Sequence, residues 1–126
     1  DAGEFDLIGK SINQKLIRRK EEIYAKLFSF GPGAHTDTIL AKMRQARWRQ
    51  PGIYEALAFA ARYPEKQIER PIAILGFQFC IEGKKGLYVP VLGEKNTDRA
   101  LVASPLEQPW DEIFLFMGVR RVPKKI

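Results

Sequence analysis

The stretch that decides the predicted fold is residues 71–92, PIAILGFQFCIEGKKGLYVPVL, a nearly uncharged run that one short basic turn divides in two. Successive side chains point to opposite faces of a strand, and every second residue of the first half is apolar. These residues are Ala73, Leu75, Phe77, Phe79 and Ile81. Residues 82–86 contain two glycines with charges between them, which is typical of a hairpin turn. Pro90 in the second half lacks an N–H and favours an edge strand or a bulge. The stretch predicts a β-hairpin.

The residues before this hairpin have the pattern of helices. A Ser-x-x-Gln capping box at residues 11–14 starts a predicted helix that continues to about residue 28. The Gly-Pro-Gly sequence at residues 31–33 ends it. A second helix is predicted from residue 36 or 37 to about residue 49. A third is predicted from about residue 53 to residue 62, where Tyr63-Pro64 ends it.

After the hairpin the pattern is less regular. Residues 93–99 are predicted as a polar loop and residues 100–103 as a short strand. Apolar residues at 110, 113, 114 and 117 have helical spacing, whereas the apolar run 113–117 is typical of a central strand, and the helix is the preferred interpretation. The predicted fold class is α+β, with an N-terminal layer of about three helices, a small antiparallel hairpin or meander, and a C-terminal helix or strand.

Length and composition restrict the class of protein. The 126 residues suit a single domain spanning 1–126, with a disordered or vector-derived lead at 1–7 and a basic, frayed tail at 120–126. A hydrophobic content of 45% argues against bulk disorder, and no apolar run is long enough to span a bilayer. One cysteine excludes an internal disulfide, and a lone histidine leaves no zinc site. We therefore predict an intracellular protein with no metal, no cofactor and no membrane partner.

The charge is uneven along the chain. The net charge is +6, and residues 10–50 contain ten Lys or Arg against three Asp or Glu. Such asymmetry predicts a basic face that meets nucleic acid, anionic lipid or an acidic protein. The alternative interpretation is an ordinary solvated helical surface.

The best candidate site is the basic and aromatic segment 42–49, KMRQARWR. Arginine contacts phosphates through a planar fork, and an exposed tryptophan stacks on a base. With the basic tip of the hairpin, the candidate nucleic-acid-binding residues are Lys42, Arg44, Arg47, Trp48, Arg49, Lys84 and Lys85. The alternative interpretation of Trp48 is a core residue surrounded by solvated arginines. The leading hypothesis is non-catalytic binding of DNA or RNA.

The order of elements, three helices and then a hairpin, is also that of a winged helix, in which a helix enters the major groove and the hairpin tip touches the backbone. The analogy concerns the order alone. In this sequence the second helix is the basic one, whereas the helix just before the hairpin is apolar.

Two other function classes are open. A protein-interaction adaptor, an inhibitor or a small subunit of a larger complex would use a sheet edge, formed by Ile72, Ile74, Gly76 and the strand of Pro90, to pair with a partner or with a second copy in a homodimer. A metal-dependent nuclease is the third hypothesis, from Glu82-Gly83-Lys84. Cys80 is predicted to be packed and inert.

Overall fold

The structure is a computed structural model that describes residues 3–6 and 23–121. Its centre is a mixed β-sheet with the strand order β1-β2-β8-β4-β5-β6, and a two-stranded ribbon of β3 and β7 lies beside it. The strands are β1 Gly3–Asp6, β2 Ile23–Ser29, β3 Ala34–His35, β4 Ile72–Ala73, β5 Tyr88–Lys95, β6 Asp98–Pro105, β7 Pro109–Trp110 and β8 Leu115–Arg121. The helices are α1 Thr36–Gln45, α2 Ile53–Arg62 and α3 Lys66–Glu69.

The sheet is covered by a helix on each face, so the molecule has three layers. On one face, called the α2 face, Ala56, Phe59 and Ala60 pack on strand residues that include Leu27 and Met117. On the other face, called the α1 face, Ile39 and Met43 pack on strand residues that include Val91 and Phe116. The central strands are buried on both faces, as their continuous apolar runs require.

The predicted fold class is wrong, because the chain is mainly sheet rather than a helical layer followed by a hairpin. Residues 23–28, predicted to end the first helix, form β2, in which Ile23, Ala25 and Leu27 are buried and the side chains between them are half-buried. Residues 115–117, predicted as helix, belong to β8. The capping box at residues 11–14 lies outside the described residues. Within residues 23–121 no helix has both the length and the apolar character needed to cross a bilayer.

Other elements agree with the prediction. The second helix is α1, although it ends at Gln45 rather than near residue 49. The third helix is α2, Ile53–Arg62. The predicted short strand lies within β6, and the polar loop before it shrinks to a tight turn because Asn96 and Thr97, with φ of 52° and 68°, join β5 to β6 directly.

The hairpin at residues 71–92 is only partly formed. β4 does pair antiparallel with β5, and both turn glycines, Gly83 and Gly86, have a φ of 81°. The strand does not continue through the predicted core residue Phe77, which is exposed. Pro90 accepts a hydrogen bond from the Ile74 N–H but has no N–H to return, so the ladder stops there. A Cβ at position 76 would come within 2.6 Å of the Gln50 Cβ. The backbone can therefore pass this close to Gln50 only because residue 76 is a glycine.

The two ends of the described chain lie in the sheet. β1 pairs antiparallel with β2 and contains four residues of the segment predicted as a lead, 1–7. The vector origin of that segment stays a prediction. Arg120 and Arg121, predicted to be part of a frayed tail, pair with Tyr24 and Ile23 in the sheet.

Candidate functional site

The backbone after α1 determines where the basic segment places its side chains. Arg47 has a φ of 66°, in the left-handed region, and turns the chain away from the helix axis. The Trp48 N–H then donates to the Met43 carbonyl, and Arg49 exchanges two backbone hydrogen bonds of 2.9 Å with Val119 of β8. Because neighbouring residues of an extended segment point to opposite faces, Trp48 turns to the α1 face and Arg49 to the α2 face.

Trp48 is a core residue. Only 5% of its surface is exposed, and its ring meets Phe28 edge-on at 5.8 Å between centroids. The prediction that an exposed Trp48 stacks on a nucleic-acid base is therefore wrong. The alternative interpretation, a buried ring surrounded by cations, describes the geometry.

The surface around Trp48 is a row of aromatic rings with a cation over each ring. Phe30 stacks on Phe28 at 6.5 Å, and Phe28 meets Trp48. The Lys42 Nζ lies 6.0 Å from the Phe30 centroid, and the Lys26 Nζ lies 5.4 Å from Phe28 and 5.7 Å from Trp48. The Arg120 guanidinium lies 4.2 Å from the Trp48 centroid. These distances are those of cation–π contacts.

Two further cations complete this surface. Arg44 and Arg47 are exposed and line an open depression over Trp48, together with Leu40. We call the resulting surface the basic face, and its members are Lys26, Lys42, Arg44, Arg47 and Arg120. They come from β2, from α1 with the turn after it, and from β8, three segments that are distant in sequence.

Arg49 also lines the depression over Trp48, but its charge is paired. Its guanidinium donates to both carboxylate oxygens of Glu55, at 2.9 and 2.7 Å, so we leave it out of the basic face. Glu55 also accepts the Gly52 N–H at 2.9 Å, which closes the first turn of α2. Burial raises the pKa of Glu55, but these hydrogen bonds and the charge of Arg49 outweigh it and hold the pKa below 4.5. This ion pair links the segment after α1 to α2. The phosphate contact at Arg49 stays a prediction.

Lys84 and Lys85 are also separate from the basic face. Both are exposed in the turn between β4 and β5, where the Lys84 N–H donates to the Ile81 carbonyl. Among the described residues no hydrogen bond, ion pair or ring contact joins either lysine to α1 or Trp48. The structure thus brings together Lys42, Arg44, Arg47 and Trp48, and it leaves Lys84 and Lys85 elsewhere. Arg49 lies beside the first group, with its charge paired to Glu55.

Sequence reasoning missed Lys26 and Arg120. Lys26 lies within the predicted first helix, and Arg120 lies in the predicted tail. In β2 and β8 both residues point to the α1 face, beside Trp48. The available signal was the alternation of residues 23–28, in which a lysine and two aromatic residues occupy every second position.

The remaining candidates do not form a catalytic site. Cys80 is exposed, so the prediction of a packed thiol is wrong. Glu82 and Lys84 lie in an exposed turn, and within residues 3–6 and 23–121 no group of three or more His, Cys, Asp or Glu residues could hold a metal ion. Thr36 at the start of α1 links the Trp110 indole to the Leu106 carbonyl, which is a structural contact in the core.

The sheet edge predicted for protein binding is not an edge. Ile72 and Ile74 are fully buried, and the strand that contains Pro90 lies between β4 and β6. The outer strand on that side is β6. A scan against protein-family models, a search of curated proteins and a search of solved structures each found no match to this chain.

Proposed function

We propose that the protein binds nucleic acid without catalysis, through contacts from the basic face to the phosphate backbone. The observation that carries the proposal is the convergence of cations from β2, α1 and β8 around Trp48. Arginine and lysine side chains that converge from separate elements form the electrostatic footprint expected of a nucleic-acid-binding surface.

The aromatic row supports this proposal through electrostatics. The Trp48 ring attracts the Arg120 guanidinium to its face but carries no net charge, so Arg120 keeps its full charge for a second partner. A carboxylate, by contrast, neutralises its cation, as Glu55 does for Arg49. The Trp48 ring also holds the head of Arg120 in place, which lowers the side-chain entropy lost when a phosphate binds.

The expected mode of binding is independent of base sequence. Trp48 is buried beneath the Arg120 guanidinium, so its ring is not available to a base. The exposed groups of the basic face are guanidinium and ammonium donors, which contact phosphate oxygens in DNA and RNA alike. Contacts of this kind position a nucleic acid but do not read its sequence.

The test is the salt dependence of binding to a duplex of random sequence. About four phosphate contacts, from Lys42, Arg44, Arg47 and Arg120, predict a log–log slope of about −3 to −4, since each neutralised phosphate releases counterions. Replacing Arg44 and Arg47 by glutamine should flatten that slope by about two units.

The matched control is the double variant in which Lys84 and Lys85 become glutamine. It removes the same charge from an exposed turn outside the basic face, so its slope should equal that of the parent. Equal flattening in both double variants would assign the binding to net charge rather than to this surface. Undetectable binding to DNA and RNA at low salt would end the proposal, because phosphate contacts always give some non-specific affinity there.

A further inference from the structure

Within residues 3–6 and 23–121, the outer strand β6 leaves backbone hydrogen-bonding groups unpaired. The Pro90 carbonyl accepts from the N–H of Ile74, directly after β4, so the next residue of β5, Val91, directs its N–H and C=O groups to β6. Val91 is paired with Val102, and the alternation continues along the ladder. The even-numbered residues of β6 therefore direct their backbone N–H and C=O groups to β5. The N–H and C=O groups of Arg99, Leu101 and Ala103 point the other way, out of the edge of the sheet.

The middle of β6, residues 100–103, carries apolar side chains, and most of them are exposed. Leu101 is 56% exposed and Val102 is 40% exposed, on opposite faces of the strand. Exposed edge strands are normally protected by charges, proline or a bulge, because they otherwise pair with other chains. Residues 100–103, Ala-Leu-Val-Ala, carry none of the protecting side chains. Beside Val102 a groove lined by Ile68 and Ile113, which are also exposed, extends the apolar surface.

We propose that β6 pairs antiparallel with β6 of a second copy of the chain, about a two-fold axis at Leu101. In this register Leu101 lies opposite Leu101 of the partner subunit, and Arg99 lies opposite Ala103 of the partner subunit. Each outward N–H and C=O of residues 99, 101 and 103 then has a hydrogen-bonding partner. The two sheets become one continuous sheet, and both exposed rows of side chains gain neighbours.

Shifting the two β6 strands relative to each other gives less favourable pairs of residues. A shift in one direction sets Ala103 opposite Thr97, which has a φ of 68° in the turn and does not continue the strand. A shift in the other direction sets Arg99 opposite Pro105, which has no N–H. A larger shift sets Arg99 opposite itself, and like charges directly opposite are destabilising.

The charges of β6 fit a second copy of the same chain. The strand carries one acidic residue, Asp98, and one basic residue, Arg99, so it is neutral although the chain is +6. In the proposed register these two residues lie opposite Ser104 and Ala103 of the partner subunit. The basic face does not oppose the association, because β4 and β5 separate β6 from the β8 strand that carries Arg120.

The first test is the molar mass of the full chain by light scattering after size exclusion. The proposal expects about twice the chain mass of 14.4 kDa at micromolar to tens of micromolar concentration. Leu101→Lys places like charges together at the axis, and Ala103→Pro removes an outward N–H that has no partner among the described residues of its own chain. Both variants should halve the molar mass. Leu87→Lys, at an exposed leucine of the turn before β5, is the control and should leave it unchanged.

The second test concerns the register. Opposed residues of a hydrogen-bonded antiparallel pair have Cα atoms about 5.5 Å apart, within the range of a disulfide. In a Cys80→Ser background, Leu101→Cys should therefore cross-link two chains under mild oxidation. Ala103→Cys should not, because the two copies of residue 103 lie about 14 Å apart along the strands. A chain that is monomeric at high concentration, or a dimer that survives both Leu101→Lys and Ala103→Pro, would overturn the proposal. Cross-linking by both cysteines or by neither would do the same.

Discussion

Gly118 controls how closely Trp48 approaches the sheet. A Cβ at this position would lie 2.9 Å from the Met43 Cε, 3.0 Å from the Trp48 Cβ and 3.0 Å from a ring carbon of Phe28. These distances are shorter than ordinary contacts, so the aromatic row depends on the absence of a side chain here. We predict that Gly118→Ala lowers the free energy of unfolding by about 1–3 kcal/mol through overpacking.

Gly93 provides the matched control for this prediction. It also lies in a strand of the same sheet, but a Cβ there would meet nothing within 4 Å. Gly93→Ala should leave the free energy of unfolding unchanged or raise it by up to about 1 kcal/mol, because alanine restricts the unfolded chain. Urea unfolding of the two variants measures the difference, and equal effects would contradict the role given to Gly118.

Glu55 predicts a specific dependence of stability on pH. Its pKa is lowered in the folded protein, so its ionised form contributes stability above the ordinary value of 4.5, and this is lost as the pH falls through the folded pKa. Arg49→Gln removes a main cause of the lowered pKa of Glu55. We predict a loss of about 1–3 kcal/mol at pH 7, as expected for hydrogen bonds to a charged group, and a smaller loss at pH 3. A loss of equal size at both pH values would contradict the assignment.

At the scale of elements, the two longer helices could be predicted from the sequence because their signals are local. The break at residues 31–33 precedes α1, Pro51-Gly52 precedes α2, and Tyr63-Pro64 follows it. The early end of α1 could not be predicted. It depends on the left-handed conformation of Arg47, which no residue type at that position indicates.

Strands β2 and β8 could not be predicted, because the side-chain periods of a helix and of a strand both place residues four apart on one face. Residues four apart share a face both in a helix and in a strand. Ile23 and Leu27 in β2, and Ile113 and Met117 around β8, therefore fit either structure. The partner of each strand lies at the other end of the described chain, so no local signal decides between them.

The candidate site was predictable only where it is continuous in sequence. Lys42, Arg44, Arg47 and Trp48 lie on one segment, and the structure keeps them together. Arg49 follows directly but turns to the opposite face of the sheet, where Glu55 binds it. The orientation of Arg49 follows from its backbone pairing with Val119. This pairing is a tertiary contact, so the local sequence does not indicate it.

At the scale of the whole molecule, the proposed dimer sets the relation between two basic faces. Seven strand spacings would separate β8 of one copy from β8 of the other, about 34 Å at about 4.8 Å each. Adjacent strands of a sheet are rotated by about 20–25° relative to one another, so over seven spacings the two basic faces turn to nearly opposite directions. One straight duplex therefore does not span both of them.

This geometry predicts that the two basic faces bind independently. A duplex of about 20 base pairs reaches one basic face at a time, so beyond the statistical factor for extra sites it should bind no tighter than one of about 8 base pairs. Leu101→Lys should leave this length dependence and the salt slope per subunit unchanged. Titrations of duplexes of increasing length measure the effect. A gain in affinity with length that is present in the parent and absent from Leu101→Lys would contradict the geometry.

The pairing of β2 with β8 also has a consequence for synthesis on the ribosome. Ile23 pairs with Arg121 and Ser29 with Leu115. β2 therefore cannot pair with β8 until almost all of the described chain has been synthesised. Such non-local pairing slows folding. The basic face takes Lys26 from β2 and Arg120 from β8, so a nascent chain cannot display the complete face while β8 is still in the exit tunnel. The surface proposed to hold nucleic acid is therefore complete only after β8 has emerged from the exit tunnel.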